Sequence, residues 1–385
     1  MGASSPEVAG RYLRALCAAA VLSLAVVWGY VVAAPLAFLD PEYPYWRAKL
    51  ELLRRCEVGT VLVVGDSRAA VDVIPARLGV ATTNLAVGGG EPIEAYVAVR
   101  RALSCPVPPR RVVVSIGPDH FVQPDLFWER TVLFGFLTGA DLRDLRDVSL
   151  SVHDMSIVDE RRTDGLTPGL RAALHESRFP GLYLGSLLRG AVFARWWDNR
   201  RRYQEGLAAR GQYFFGTGHG SHVVTAEGNL RRFAPLPVLD RYFDRMLALL
   251  AARDVPVDFV AMPLNAATAS VIRPAVRDGF AAYLASYERR YANFHVIGPV
   301  PPVWDDSWFG DAFAHLNPVG AEVFSTAFGP CLRSRLAAQL ACGGFDQPRL
   351  QAAPPSTQND AQWGWFNATG RDASAKVVPN SKRGS

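Results

Sequence analysis

The sequence lacks the patterns that mark several common functions. Its 385 residues contain no zinc-like spacing of Cys and His, no P-loop, no GxGxxG fingerprint and no internal repeat. Charged residues make up only 20% of the chain, and the formal net charge of +5 is a mild bias. The Arg residues are scattered apart from short runs such as Arg200–Arg202, which favours a solvated surface over a nucleic-acid patch. We therefore expect no metal, no cofactor and no nucleic-acid partner.

The composition is that of a folded protein. Apolar residues make up 49% of the chain and aromatic residues 11%, which supports a sizeable packed core and excludes wholesale disorder. The length is enough for one large domain with additional segments.

A long apolar run lies near the N-terminus, at residues 15–39. A membrane-spanning helix needs about 20 such residues, whereas the apolar part of a secretory signal has only about 7–15. Pro35 directly follows Val32-Ala33-Ala34, which makes a poor cleavage site. The run therefore predicts one uncleaved transmembrane helix rather than a cleaved signal. With residues 1–14 in the cytoplasm, as is usual for such an anchor, this single-pass inner-membrane protein would hold its main domain in the periplasm.

The cysteines suit an oxidising compartment. Cys56 precedes one predicted strand and Cys105 another, so the two could form a disulfide if the strands are parallel neighbours. Two ordinary buried thiols are the alternative. Cys331 and Cys342 lie in a region that resembles one helix. There they would be about 16 Å apart, too far to bridge.

After an expected linker at residues 40–58, strands alternate with helices up to residue 342. Short apolar runs predict strands at residues 60–64, 112–116, 257–262 and 294–297, and 84–87 is a further apolar stretch. This alternation predicts an α/β domain over 59–342, a parallel sheet between two layers of helices. Residues 122–237 are less regular and suggest a mostly helical insertion. The tail, 343–385, has the composition of a disordered segment.

Three glycine-rich strand ends, at Gly65, Gly88–Gly90 and Gly117, should meet at the carboxyl edge of the sheet, where ligands bind in such folds. Ser67 would project from the first of them. Its own N–H and that of Gly88 or Gly89 could bind a developing oxyanion.

A serine nucleophile needs a base, and His315 is the best candidate among the seven His residues. It precedes the last helix, which should begin at Asn317-Pro318 because Asn suits the N-cap and Pro the first helical position. Asp311, four residues before His315, could orient the imidazole.

These residues resemble the SGNH/GDSL hydrolase superfamily. Gly65-Asp66-Ser67 is similar to its nucleophile block, Gly88–Gly90 to its second block, and Asp311 with His315 to its acid–base block. The resemblance implies a three-layer α/β/α, flavodoxin-like fold and a catalytic triad of Ser67, His315 and Asp311.

The chain departs from the superfamily in two places. Its third block usually contains Gly-x-Asn, whereas this chain has Gly117-Pro118-Asp119-His120. Either His120 substitutes for the Asn amide, or backbone donors suffice, or the activity is altered. The acid usually lies three residues before the His, where this chain has Ala312, so a backbone carbonyl could orient His315 in place of Asp311.

Three further residues are candidates for contact with substrate: Asp66, His120 and His219. His219 and His222 have a spacing that a metal could use, but no third ligand lies nearby in the sequence. The segment is rich in Gly and aromatic residues, which favours a substrate-facing loop.

The whole layout resembles SGNH-like proteins that accompany exopolysaccharide synthesis, including alginate and cellulose systems. This resemblance implies O-acetyl transfer onto, or acetyl removal from, a polysaccharide hydroxyl through a Ser67 acyl-enzyme. It also implies a membrane acyl-donor protein or a synthase complex as partner. A non-catalytic accessory subunit is the second hypothesis, and a lipid or small-ester hydrolase the third.

Overall fold

The computed structural model describes residues 6–124, 126–159, 165–218, 220–313, 315–337 and 342. The tail expected to be disordered, 343–385, and the candidate residue His219 lie outside the described residues.

A parallel sheet forms the centre of the domain, which confirms the predicted α/β class. Its five strands have the order β2-β1-β3-β4-β6, and every neighbouring pair is parallel. The central strands are mostly apolar because helices cover both faces of the sheet, so neither face meets water, and Arg111 and Asp258 are buried charged exceptions that pair with each other. The strands are β1 (Val61–Gly65), β2 (Thr82–Asn84), β3 (Arg111–Ser115), β4 (Val257–Val260) and β6 (Phe294–Ile297), while β5 (Leu264–Asn265) and β7 (Val303–Trp304) form a separate parallel pair.

Helices precede, connect and follow these strands, and half of the α-helices in the described part of the chain lie in the long segment between β3 and β4. Those before β3 are α1 (Pro6–Ala33), α2 (Tyr43–Arg54), α3 (Ser67–Asp72) and α4 (Pro92–Ala102). Those between β3 and β4 are α5 (Asp119–Val122), α6 (Gly139–Ser151), α7 (Pro168–Glu176), α8 (Pro180–Arg189), α9 (Trp196–Ala208), α10 (Ala226–Asn229) and α11 (Pro237–Ala251). The remaining helices are α12 (Ala266–Val271), α13 (Pro274–Arg290) and α14 (Pro318–Leu336).

The second strand ends earlier than its apolar run indicates. The strand stops at Asn84, whose side-chain amide donates to the carbonyls of Ala69 and Val73. The apolar residues that follow still run beside β1, because the Val87 N–H donates to the Gly65 carbonyl over 3.0 Å. The glycines after Val87 therefore lie at the same sheet edge as Gly65.

The predicted apolar helix is confirmed, but its C-terminal bound was wrong. Residues Glu7–Ala33 form a helix long and apolar enough to cross a membrane, whereas Pro35–Ala37 form a 3-10 turn. Phe38 and Leu39 are fully buried in the domain. The apolar run continues to residue 39 because core residues are as apolar as membrane-spanning ones.

The segment expected as a linker, 40–58, contains the helix α2. Tyr43 and Trp46 on this helix are at most 1% exposed, and Trp46 Nε1 donates to Glu42 Oε1 over 2.9 Å. The proline at position 44 falls in the first turn of α2, where the missing N–H has no intrahelical partner to lose. This segment is therefore part of the domain core.

Two disulfides form. Cys56 and Cys105 are bridged at a Cα–Cα distance of 5.5 Å. The prediction that Cys331 and Cys342 are too far apart was wrong, because α14 ends at Leu336 and the Cα atoms lie only 4.7 Å apart. Disulfides persist in oxidising compartments. Together with the N-terminal apolar helix, whether span or signal, they indicate an extracytoplasmic domain.

A buried ion triad joins β3, β4 and α14. The Asp258 carboxylate is fully buried between Arg111, at 2.8 Å, and Arg335, also at 2.8 Å. Arg111 also donates to the Arg335 carbonyl over 2.7 Å. A buried carboxylate of this kind needs both cations because they replace its lost hydration.

We predict that Asp258→Ala lowers the free energy of unfolding by about 3–5 kcal/mol, because it leaves two buried guanidinium groups without their shared anion. The matched control is Asp278→Ala, which removes a 65%-exposed partner of Arg277. This variant should change the free energy of unfolding by less than about 0.5 kcal/mol. Denaturant unfolding of the full chain in detergent measures both. Equal effects of the two variants would show that the triad does not stabilise the fold.

Candidate active site

The turn between β1 and α3 is built around Asp66. Its Oδ1 accepts hydrogen bonds from the N–H groups of Arg68 and Ala69, so Asp66 is the N-cap of α3. Its Oδ2 accepts a 2.7 Å hydrogen bond from the Gly117 N–H, just past the end of β3. Gly65 has a φ of +146°, and a Cβ there would lie 1.7 Å from the Ser115 carbonyl oxygen, so only glycine fits.

Ser67 is the first residue of α3 and is partly exposed. At this helix position the backbone N–H has no intrahelical partner. Among the described residues, no backbone hydrogen bond uses the N–H of Ser67, Gly88 or Gly89. The three N–H groups expected to bind an oxyanion therefore make no backbone hydrogen bond in this part of the structure.

Asp311 and His315 form a close pair. His315 Nδ1 lies 2.5 Å from Asp311 Oδ2, and the side chains are 5% and 8% exposed. Asp311 Oδ1 also accepts the N–H groups of Phe313 and His315, which fixes the loop around the carboxylate. The acid four residues before the histidine thus contacts the imidazole.

The ionisation of Asp311 sets the tautomer of His315. Burial acts to raise the pKa of Asp311, but the charge and hydrogen bonds of His315 outweigh it, and the net pKa is lowered. An ionised carboxylate only accepts hydrogen bonds, so the proton lies on His315 Nδ1 and Nε2 is a free base in the neutral ring. Nε2 is buried and has no hydrogen-bond partner among the described residues. Ser67 Oγ and His315 Nε2 are therefore not hydrogen-bonded in this structure.

The loop that carries His315 packs against the helix that begins at Ser67. The N–H of Leu316 donates to Asp72 Oδ1, at the last residue of α3, over 3.1 Å. Phe215 stacks on the His315 ring at a centroid distance of 4.7 Å. These contacts bring the histidine, from a distant part of the sequence, next to the short helix that follows β1.

Asp72 is a positioning residue that the sequence reasoning missed. It is fully buried, and burial, as the largest effect, raises its pKa well above the usual range. Its backbone carbonyl accepts the Ser325 hydroxyl of α14 while its side chain accepts the Leu316 N–H. Asp72 thus connects the histidine loop, at Leu316, and α14, at Ser325, to the end of α3, and its raised pKa favours the uncharged acid in this buried position.

A cluster of charged and titratable side chains surrounds Asp66, the residue before Ser67. Its other members are Arg68, Asp119, His120 and Glu227. The Arg68 guanidinium is within 3.6 Å of Asp66 and 3.5 Å of Asp119, and it is paired with Glu227 of α10. His120 Nε2 lies 3.7 Å from Asp119 and 4.0 Å from Asp66. Asp66 and His120, both candidates for contact with substrate, thus lie inside this network at no more than 7% exposure, and that role stays a prediction.

The carboxylates of the cluster differ in pKa. Burial, and next to it the charge of Glu227, raises the pKa of Asp119 to about 7. Burial also acts to raise the pKa of Glu227, but Arg68 and nearby hydrogen bonds lower it to about 2. Arg68 therefore stabilises the charge on Glu227 more than that on Asp119, and Asp119 changes its charge near neutral pH.

Of the two histidines in the His219–His222 segment, the structure describes His222. His222 is 86% exposed and its Nδ1 lies 2.6 Å from Asp306 Oδ2. No group of three His, Cys, Asp or Glu side chains suited to a metal ion occurs among the described residues. His219 itself lies outside the described residues.

A scan against protein-family models and a search of proteins with curated functions both find no match to this chain.

We predict that Asp72→Ala lowers the free energy of unfolding by about 1–3 kcal/mol and speeds hydrogen exchange at Leu316, because the buried Leu316 N–H loses its acceptor. Asp72→Asn keeps an acceptor oxygen and matches the neutral acid, so it should remain close to wild type. Hydrogen-exchange mass spectrometry of the 310–320 peptide compares the two. Unchanged exchange in Asp72→Ala would remove Asp72 from the positioning of the loop.

The raised pKa of Asp119 predicts a pH-dependent stability. Between about pH 4 and 7 the unfolded chain releases this proton while the folded chain retains it. Asp119 therefore contributes most to stability at low pH, and this contribution is lost as the pH rises through about 7.

The Tm of wild type should consequently fall relative to that of Asp119→Asn as the pH rises from 4 to 7, and the difference should then level off. Thermal unfolding in detergent measures this, with the exposed Asp278→Asn as the control for general charge effects. Parallel pH profiles of wild type and Asp119→Asn would contradict the assignment.

Proposed function

We propose that this chain is an SGNH-type acyltransferase or esterase of the bacterial envelope that forms an acyl-enzyme at Ser67. One observation carries the proposal: the Asp311–His315 pair lies in a loop hydrogen-bonded to the end of the helix that Ser67 begins. The strand order β2-β1-β3-β4-β6 also supports it, since flavodoxin-like sheets have this arrangement and bind ligands at the carboxyl ends of their strands.

The proposed location is the inner membrane, with α1 as a single-pass anchor and the main domain in the periplasm. Basic residues occur on both sides of the apolar run, so the flanking charge says little about orientation, and a cytoplasmic N-terminus is the usual placement of a single N-terminal anchor. The two disulfides support an oxidising compartment for the domain. A periplasmic domain anchored in this way could reach a polysaccharide when the polysaccharide leaves a synthesis complex in the same membrane.

In the proposed reaction, Ser67 Oγ attacks the acyl carbonyl carbon while His315 Nε2 takes its proton. The tetrahedral intermediate collapses, the bond to the leaving group breaks, and His315 returns the proton to that group. An acceptor hydroxyl or water then gives its proton to Nε2 and attacks the acyl carbon. The second tetrahedral intermediate collapses, the bond between the acyl carbon and Ser67 Oγ breaks, and His315 returns the proton to Oγ. Asp311 stabilises the imidazolium at both steps.

The oxyanion would be bound by the N–H groups of Ser67 and of Gly88 or Gly89. Each such donor is typically worth about 3–4 kcal/mol of transition-state stabilisation. Backbone donors of this kind would take the place of the Asn amide that the superfamily usually provides. Ser67 and His315 would come within hydrogen-bond distance when substrate binds, as catalytic hydrogen bonds often tighten only in the complex.

The proposed acyl group is acetyl and the proposed acceptor an exopolysaccharide such as cellulose or alginate. Both follow from the resemblance of the layout to SGNH-like proteins of exopolysaccharide systems. A membrane acyl-donor protein or the synthase complex would supply the acetyl group. Transferase and esterase use the same three residues, and the exclusion of water decides between them.

A catalytically inactive accessory subunit of a polysaccharide-synthesis complex is the second candidate. The buried, unpartnered Nε2 of His315 favours it, because the serine–histidine hydrogen bond is not made. The Asp119-His120 sequence at the place of Gly-x-Asn favours it as well.

We predict that the full chain in detergent, given p-nitrophenyl acetate, gains one acetyl group on Ser67. His315→Ala should slow this acylation by about 100-fold or more, because the general base is lost. Peptide mass spectrometry locates the adduct. Ser67→Ala should abolish it, whereas Ser270→Ala, an exposed serine of α12, should leave it unchanged.

If the folded wild type gains no adduct at Ser67, the accessory-subunit function replaces the enzyme. If the adduct forms, its decay with and without added cello- and manno-oligosaccharides separates the two reactions. Acetylated sugar indicates a transferase, and decay to free acetate alone indicates an esterase.

A further inference from the structure

An apolar surface surrounds the place where α1 meets the domain. It consists of the exposed face of α8 and the turn that follows, and its large side chains are 46–72% exposed. We call it the α8 surface; its members are Leu184, Leu188, Val192 and Phe193. Contiguous exposed apolar side chains on a folded domain mark a contact with another apolar phase.

The α8 surface is joined to the last turns of α1 by specific contacts. Trp28 Nε1 donates to the Ser177 carbonyl over 2.8 Å, and the Trp28 ring packs edge-on against Phe179 at 5.6 Å. Tyr30 donates its hydroxyl proton to the Val192 carbonyl and packs against Phe193 at 5.2 Å. The polar tips of both aromatic residues are thus satisfied by the domain, which fixes α1 against α8.

The length of α1 determines the depth of these contacts in a bilayer. Arg14 is the last charged residue before the apolar stretch, and Trp28 follows it by fourteen residues, or about 21 Å of helix. The hydrocarbon core is about 30 Å thick. With Arg14 at the inner boundary, Trp28 lies several ångströms inside the outer boundary, and so do the parts of the domain that contact it.

We propose that the α8 surface is inserted into the outer interface of the same bilayer that α1 spans. This inference rests on the proposed membrane span of α1, not on the proposed chemistry of Ser67. The apolar side chains of α8 lie among the outer acyl chains, as those of interfacial helices do. Arg189 is exposed at the end of α8, with its guanidinium beside Gly185, and its long side chain would let the charged group reach the lipid headgroups after insertion.

We infer that lipid covers the α8 surface because this surface adjoins α1, whose exposed apolar residues are themselves covered by lipid in the proposed membrane span. Val21 and Leu22, two turns before Trp28, are 68% and 66% exposed. The same apolar phase that covers them extends to the depth of Phe179 and Phe193. The domain is consequently held at one orientation to the membrane by two attachments rather than one flexible tether.

The test uses the full chain with Cys17→Ser in vesicles of phosphatidylethanolamine and phosphatidylglycerol. Single cysteines replace Leu188, Val192, Val21 or Val271, and each carries a nitroxide spin label. Val192 and Val271 are a matched pair because they are 46% and 47% exposed, and Val271 packs near Val224 and Gly228 rather than α1. Electron paramagnetic resonance measures the collision of each label with oxygen, which dissolves in lipid, and with a water-soluble nickel chelate.

We expect the ratio of oxygen to nickel collisions at Leu188 and Val192 to be several-fold higher than at Val271, approaching that at Val21. Ratios at Leu188 and Val192 equal to that at Val271 would overturn the proposal. Low collision with both reagents would overturn it in favour of a protein partner or a second copy. An aqueous signal at Val21 would overturn the membrane span and the proposal together, and none of these outcomes bears on acylation of Ser67.

Discussion

The carboxylate of Asp66 is the constraint on which the candidate site depends. It is 1% exposed and accepts the N–H groups of Arg68 and Ala69 on α3 and of Gly117 beyond β3. A buried anion without such partners would be strongly unfavourable, so its three hydrogen bonds fix the turn that they surround. One side chain thereby joins the ends of two central strands and places Ser67 at the start of a helix.

The position of His315 depends on the same helix. Asp72 is the last residue of α3, and its buried side chain accepts the N–H of Leu316, the residue after His315. Ser67 and the loop that carries His315 are thus attached to opposite ends of one short helix. Because Asp311 holds His315 Nδ1 at 2.5 Å, Nε2 is left as the basic nitrogen. Activity at Ser67 would require substrate binding to bring Ser67 Oγ within hydrogen-bond distance of His315 Nε2.

Elements whose position depends on neighbouring residues could be predicted from the sequence. An apolar run ending in Gly65 predicted β1, and Asn317-Pro318 predicted the start of α14, because strand burial and helix capping depend on neighbouring residues. Contacts between segments that are distant along the chain could not be predicted in this way. Phe38 is as apolar as the membrane helix but belongs to the core, and the partnership of Arg68 with Glu227 has no local signal.

The most direct measurement of the central claim is covalent labelling by a fluorophosphonate, since it needs neither the natural acyl donor nor the acceptor. An activated serine attacks phosphorus and expels fluoride, and the rate reports on the base that activates it. Ser67 should take up one phosphonyl group in the wild type and react far more slowly in His315→Ala. Labelling elsewhere in the chain, or equal rates at Ser67 in both proteins, would contradict the account.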